Sequence, residues 1–162
     1  MERNGFKPIL AGICCLLTLP TISYAGELAG IWKPDNSDMH ERAGTDCCST
    51  LYRKLEIEEK DGKIVIKESV LMAKQFLDNE SIYKTDGSES VNKGWNGREE
   101  MSKAVWKEGE LIITTYMKVR KRTMETQTTF SLSDDGKILT MLKQMKNPKA
   151  RYSEKFTFIK TE

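Results

Sequence analysis

Apolar and polar residues alternate along most of the chain after residue 50, with the period of two that is typical of β-strands. In LYRKLEIEE, Leu55 and Ile57 fall on one face and charged side chains fall on the other. Asp-Gly pairs follow in KDGK and DDGK, and such pairs are a strong signal for tight hairpin turns. The pattern therefore predicts antiparallel strands that each bury one face.

Several segments carry this pattern in full or in a weaker form. They are a segment that begins at Leu28 and residues 51–59, 63–71, 81–84, 98–106, 111–119, 123–133, 138–145 and 151–160. Hairpin-linked strands with one apolar face bury that face best in a sandwich or a closed barrel, and closure also removes exposed edges. We expect an all-β fold without helices, a single antiparallel up-and-down barrel of about eight to nine strands.

The N-terminal segment has the features of a secretory signal peptide. A short basic region ends at Lys7, the apolar run PILAGICCLLTLP follows, and Ser23-Tyr24-Ala25 provides a small-x-small cleavage site. The apolar run is shorter than the roughly 20 residues that span a bilayer. We therefore expect a signal peptide over residues 1–25, a single lipocalin-like domain over residues 26–162 with no integral membrane segment, and export to the periplasm or the extracellular space.

The opening of this domain, GIWKPDNSD, resembles the GTWKLNPEKS-type opening of small exported bacterial lipocalin-like proteins. The later segments YKTDGSES, WKEGELII and SLSDDGKILT fit the same group in order, and the last resembles its SxDGKxLT hairpin. The resemblance implies a calycin-type barrel in which Trp32 packs across the closed end and Gly30 lets the backbone pass closely. It also implies an interior that can hold a small hydrophobic molecule. The chain departs from the group at HERAGTDCCST and lacks its Pro-rich passage before the second strand.

The densest group of chemically reactive side chains lies in the polar stretch between residues 33 and 50. It contains His40, the only histidine of the chain, together with the adjacent Cys47 and Cys48. Adjacent cysteines are poorly placed to supply two vertices of a tetrahedral metal site, so we expect no metal and no cofactor. In an oxidising compartment Cys47 and Cys48 are a candidate redox pair. A strained vicinal disulfide, a bond to another chain and two free thiols all remain open.

The charged residues point to a solvated surface. The net charge is +2, which gives no global field for nucleic acid, and the basic run KVRKR lacks the interleaved aromatic residues of a single-strand-binding surface. Three carboxylate pairs are expected at solvated strand ends or turns: Glu58-Glu59, Glu99-Glu100 and Asp134-Asp135.

These features favour an exported, non-enzymatic protein that binds or shields a small hydrophobic molecule inside its barrel. An alternative is a structural or interaction module of the cell envelope that makes contact through residues 33–50. A weaker alternative is a redox or metal-handling protein that works through Cys47 and Cys48. The sequence leaves the oligomeric state undecided.

Overall fold

The computed structural model describes residues 27–35, 51–72, 74–119, 122–147 and 150–161. Within these ranges the chain forms ten β-strands and no helix. The strands are β1 (Gly30–Pro34), β2 (Leu51–Lys60), β3 (Lys63–Met72), β4 (Gln75–Lys84), β5 (Asp86–Lys93), β6 (Glu99–Lys107), β7 (Glu110–Val119), β8 (Arg122–Leu132), β9 (Ile138–Asn147) and β10 (Ala150–Thr161). No helix long and apolar enough to cross a membrane occurs in the described part of the chain.

All ten strands belong to one antiparallel sheet in the order β4-β3-β2-β1-β10-β9-β8-β7-β6-β5. Every neighbouring pair except β1–β10 is consecutive in the sequence, as in an up-and-down meander. The β1–β10 ladder brings the two ends of the described chain together, with Ile31 opposite Thr161. The sequence-based prediction of a single antiparallel up-and-down barrel is therefore confirmed.

The two outermost strands, β4 and β5, face each other without a backbone ladder, and side chains bridge them instead. The Asn92 amide accepts a hydrogen bond from the Ile82 N–H at 2.8 Å and donates one to the Ile82 carbonyl at 3.0 Å. The Ser90 hydroxyl accepts from the Lys84 N–H at 3.0 Å. We call this junction the β4–β5 seam, and it makes the barrel nearly rather than fully closed.

The interior changes character along the barrel axis. Buried apolar side chains fill the end that carries the β2–β3, β6–β7 and β8–β9 hairpins, because inward positions near those turns are apolar. These buried residues are Leu28, Trp32, Leu55, Ile57, Ile64, Ala104, Leu111, Leu139 and Phe158. Further along the same strands, the inward positions become polar or charged. The closed end is thus a packed core, whereas the middle of the barrel holds the cavity described below.

The expected number of eight to nine strands is wrong by one strand. The missing element is β5, whose sequence DGSESVNK turns Ser88, Ser90 and Asn92 towards the interior and leaves Val91 61% exposed. This strand therefore lacks the apolar-in, polar-out pattern. β4 is also longer than the predicted segment, since it begins at Gln75 rather than near Ser81.

Candidate binding cavity

The middle of the barrel contains a cavity of about 150 Å³. Its walls combine large apolar side chains with hydroxyl, amide and charged groups from β3, β4 and β6 to β9 and from the β5–β6 turn. The lining residues are Ile66, Glu68, Asn79, Ser81, Tyr83, Gly94, Trp95, Glu100, Ile113, Thr115, Met117, Thr126, Thr128, Phe130 and Lys143. This mixture can surround a molecule that has an apolar body and at least one polar group.

A partly buried polar cluster of Tyr52, Glu68 and Lys143 borders the cavity. The Tyr52 hydroxyl donates to Glu68 Oε1 at 3.1 Å, and Lys143 Nζ donates to the Tyr52 hydroxyl. Lys143 Nζ also lies 3.4 Å from Glu68 Oε1, which makes an ion pair across the interior. The cluster thus links β9 to the neighbouring strands β2 and β3 through side-chain contacts across the interior.

Aromatic packing holds this cluster in place. The Tyr52 ring packs edge-on against Phe156 and Phe158, with ring centroids 4.8 Å and 5.6 Å apart. Lys143 Nζ lies 5.1 Å from the centroid of the Tyr52 ring, within the range of a cation–π contact. The charged cluster is therefore fixed against the apolar core.

The pKa values of several ionisable groups inside the barrel are shifted by burial and by the charges of neighbouring groups. Burial disfavours the charge on Lys143, but the Glu68 carboxylate and the Tyr52 hydroxyl outweigh it and raise the pKa of Lys143 above its ordinary value. Burial raises the pKa of Tyr52, and it raises the pKa of Tyr83 to about 12. At neutral pH, Lys143 is therefore a cation and both tyrosines are neutral hydrogen-bonding groups.

Glu100 forms another part of the wall, next to the turn between β5 and β6. Burial raises the pKa of its carboxyl, an effect that Lys143 opposes and Glu68 reinforces. Its side chain lies over Gly94, where an added Cβ would come within 2.1 Å of Glu100 Oε1. The Gly94 N–H donates to the Arg98 carbonyl at 2.8 Å, which closes the turn. Gly94 thus provides the space that the Glu100 side chain occupies.

Gly30 and Trp32 lie at the packed end of the barrel. Trp32 is fully buried, and its indole Nε1 donates to the Leu28 carbonyl at 3.0 Å. Gly30 has a φ of 147°, and a Cβ at this position would lie 2.9 Å from Lys160 Cε. The ammonium group of Lys160 lies over the Trp32 ring. Neither residue lines the cavity, so both belong to the scaffold.

Several sequence-predicted features lie outside the described residues. These are the signal peptide over residues 1–25, His40, and the candidate redox pair Cys47 and Cys48. Among the residues that the structure describes, no group of three or more His, Cys, Asp or Glu side chains could hold a metal ion. The redox hypothesis therefore stays a prediction.

One expectation about the carboxylate pairs is wrong. Glu99 is exposed as expected, but Glu100 points into the barrel because alternate residues of β6 face inward. Sequence reasoning also missed Glu68 and Lys143 as interior residues. A signal was present, since Glu68 falls on the inward parity of Ile64, Ile66 and Val70. Lys143 likewise follows Leu139 and Met141 at intervals of two.

The comparisons with known proteins bear on the fold. No family model matches the chain, and no curated protein matches its sequence. Solved structures do match. Lipid binding protein 8 from Caenorhabditis elegans superposes with a TM-score of 0.58 at 16% identity, over 83% of this chain and 96% of the other. A secretory abundant heat soluble protein from Ramazzottius varieornatus gives a TM-score of 0.56 at 15% identity, over 83% and 96% of the two chains.

Fatty-acid-binding protein 1 from Echinococcus granulosus gives a TM-score of 0.54 at 15% identity, over 84% of this chain and 98% of the other. Zebrafish ileal bile acid-binding protein, solved with cholic acid, gives 0.52 at 13% identity, over 83% and 99%. These matches cover nearly the whole of each known chain. The protein therefore has the all-β, nearly closed antiparallel barrel of the calycin type.

Proposed function

We propose that residues 26–162 form an exported, non-enzymatic binding protein that holds a small hydrophobic molecule in the barrel cavity. The cavity carries this proposal, because it lies next to an apolar core and its walls place aromatic rings beside hydroxyl, amide and charged groups. Such a combination is typical of small-molecule sites, where apolar area gives affinity and polar groups fix orientation. The structural neighbours include a lipid-binding, a fatty-acid-binding and a bile-acid-binding protein, which also favours a carrier over an enzyme.

The volume of the cavity limits the size of the molecule. At about 150 Å³ it is smaller than the typical range for small-molecule sites, which is about 300–1,000 Å³. An engineered cavity of about 150 Å³ in another protein binds benzene. The occupant that fits is therefore one aromatic ring or a short alkyl chain with a polar end.

The test is the binding of 2-phenylethanol, a neutral ring-sized probe, to residues 26–162. The probe is titrated by calorimetry and by amide chemical shifts. Thr128→Phe places a ring into the cavity and should weaken binding at least about tenfold, which corresponds to 1.4 kcal/mol. Thr129→Phe puts the same ring on the other face of β8 and should leave the affinity unchanged, because Thr129 does not line the cavity. Equal affinity of all three proteins, or no binding to any, would reject the proposal.

A second candidate is the structural or interaction module, and the small cavity favours it. An eight-stranded barrel can be just filled by side chains, and a slightly larger one with a charged cluster inside can serve as a rigid scaffold. In that case neither 2-phenylethanol nor a longer alkyl alcohol would bind.

Export and the state of Cys47 and Cys48 can be tested together by native mass spectrometry. Protein taken from the envelope fraction of its own host, without reducing agent, should begin at Gly26. A mass lower by two hydrogens at the monomer would support a Cys47–Cys48 disulfide. Recovery of the full-length chain from the cytoplasm would contradict export.

A further inference from the structure

We propose that the cavity selects a molecule with a protonated amine or another cationic end over the corresponding carboxylate. This inference rests on the proposed binding function and names the ligand class of the same site. It is carried by the placement of Glu100, Glu68 and Lys143 around one cavity whose other walls include aromatic rings.

The charges of the cavity wall sum to a negative value. Among the described residues that line it, Glu68 and Glu100 carry carboxyl groups and Lys143 carries an amine. Lys143 is paired with Glu68 at 3.4 Å and hydrogen-bonded to Tyr52. Glu100 lies on β6, three strands away from β9 in the sheet order, and the ion pair of Lys143 is made with Glu68 rather than with Glu100. One carboxylate is therefore left for a ligand cation, whereas an incoming carboxylate would meet two carboxylates and an ammonium that is already paired with one of them.

The aromatic residues of the wall suit the same ligand class. Trp95, Tyr83 and Phe130 all line the cavity. The faces of aromatic rings attract ammonium groups electrostatically, and the attraction is larger when water is excluded. The Asn96 amide contacts Met117 Sδ at 3.9 Å, which holds the turn that carries Trp95 against β7. Rings and the Glu100 carboxylate thus border one small space.

Three probes of similar size test the charge preference. Each has a phenyl ring and two further carbons: phenethylamine carries an ammonium on the second carbon, 2-phenylethanol carries a hydroxyl there, and in phenylacetate the second carbon is that of the carboxylate. Calorimetry on residues 26–162 at neutral pH should rank phenethylamine first and phenylacetate last, with at least about a tenfold difference between them. The neutral alcohol separates ring burial from charge.

Glu100→Gln keeps the size of the side chain and removes its charge. It should weaken phenethylamine binding about tenfold and change 2-phenylethanol binding less than about twofold. Glu99→Gln is the matched control, because Glu99 is exposed on the outer face of the same strand. It should leave the affinity for all three probes unchanged.

The pH dependence gives an independent readout. Protonation of Glu100 removes the negative charge, so phenethylamine affinity should fall as the pH is lowered through the raised pKa of Glu100. The other ionisable groups that face Glu100 are Glu68, Lys143 and Tyr83, and of these Lys143 and Tyr83 keep their protons throughout that range. In the Glu100→Gln variant, the fall in phenethylamine affinity that accompanies protonation of Glu100 should be absent.

The outcomes separate the two proposals. If none of the probes binds, the binding function itself is rejected. If 2-phenylethanol binds but phenylacetate binds as tightly as phenethylamine or more tightly, the charge preference is wrong and the binding function stands. If phenethylamine is preferred equally by the wild type and by Glu100→Gln, the assignment to Glu100 is overturned.

Discussion

At the scale of single residues, the interior of this barrel is defined by a few polar side chains on strands that are otherwise apolar inside. Glu68 and Lys143 occupy inward positions where their neighbours two residues away are buried and apolar. A charge inside a barrel is costly unless it is paired and hydrogen-bonded. Tyr52 meets this requirement by bonding to both.

Replacing Lys143 by methionine should destabilise the protein, because Glu68 loses its cation while remaining inside the barrel. Since 27% of the Lys143 side chain is accessible, we expect a loss of about 1–3 kcal/mol rather than the larger cost of a fully buried pair. The measurement is urea unfolding. The double variant Lys143→Met/Glu68→Leu should recover most of the loss, and a double variant as unstable as the single one would contradict this account.

The buried tyrosines should make the protein sensitive to alkali. Folding raises the pKa of Tyr52 and Tyr83, so both phenols stabilise the folded state only while protonated. This contribution is complete below about pH 10, the ordinary phenol value, and is lost as the pH rises towards about 12 for Tyr83. Circular dichroism during a pH titration should show unfolding in this window.

Tyr83→Phe should move the alkaline unfolding midpoint to higher pH, because one of the groups that must ionise is gone. Tyr116→Phe removes a phenol from β7 outside the cavity wall and is the control. An unchanged midpoint in Tyr83→Phe would show that burial of Tyr83 does not contribute to alkaline unfolding.

At the scale of strands, most elements could be predicted because many of their inward positions are apolar and because two of their turns, at Asp61-Gly62 and Asp135-Gly136, contain Asp-Gly. β5 could not, because its inward side chains are Ser88, Ser90 and Asn92. Ser90 and Asn92 bridge the β4–β5 seam, where they replace the bonds that a neighbouring backbone would make. The residues of the cavity wall were also hard to predict. A charged side chain such as Glu68 can be assigned to the interior only once it is known which alternate residues of its strand face inward.

Asn92→Ala should open the β4–β5 seam locally. It removes both bonds to the Ile82 backbone, and we expect a stability loss of about 1 kcal/mol and faster hydrogen exchange of the Ile82 amide. Asn92→Asp keeps the acceptor for the Ile82 N–H and loses the donor, so its exchange rate should lie between those of Asn92→Ala and the wild type. Identical exchange in all three proteins would mean that Asn92 does not hold the seam.

At the scale of the whole molecule, the apolar core and the cavity lie at different positions along the barrel axis. The hairpin ends near Trp32 are packed solid, whereas the middle of the barrel carries the charges. The sequence resemblance pointed to this architecture through turn and packing motifs, and the solved structures confirm the fold at 13–16% identity. The chemistry of the ligand could not be inferred from the same motifs, because it depends on interior side chains that those motifs do not contain.

The β4–β5 seam also determines where the chain could be cut. Every backbone ladder except β1–β10 joins strands that are consecutive in the sequence. A circular permutant can begin at Asp86, join residue 161 to residue 27 by a short flexible linker and end at Thr85. In this permutant every backbone ladder would join consecutive strands. Thr85 would keep its hydrogen bonds to the Gly62 carbonyl.

Such a permutant replaces the long-range closure between Ile31 and Thr161 by a local hairpin, and it makes the contacts across the β4–β5 seam long-range instead. Backbone ladders between consecutive strands form faster than long-range ones, so if the β1–β10 ladder limits the folding rate, stopped-flow refolding should be quicker than in the natural order. A permutant that does not fold would show that the covalent link between Lys84 and Asp86 is needed. Rapid folding would mean that the natural chain order delays the pairing of its two ends.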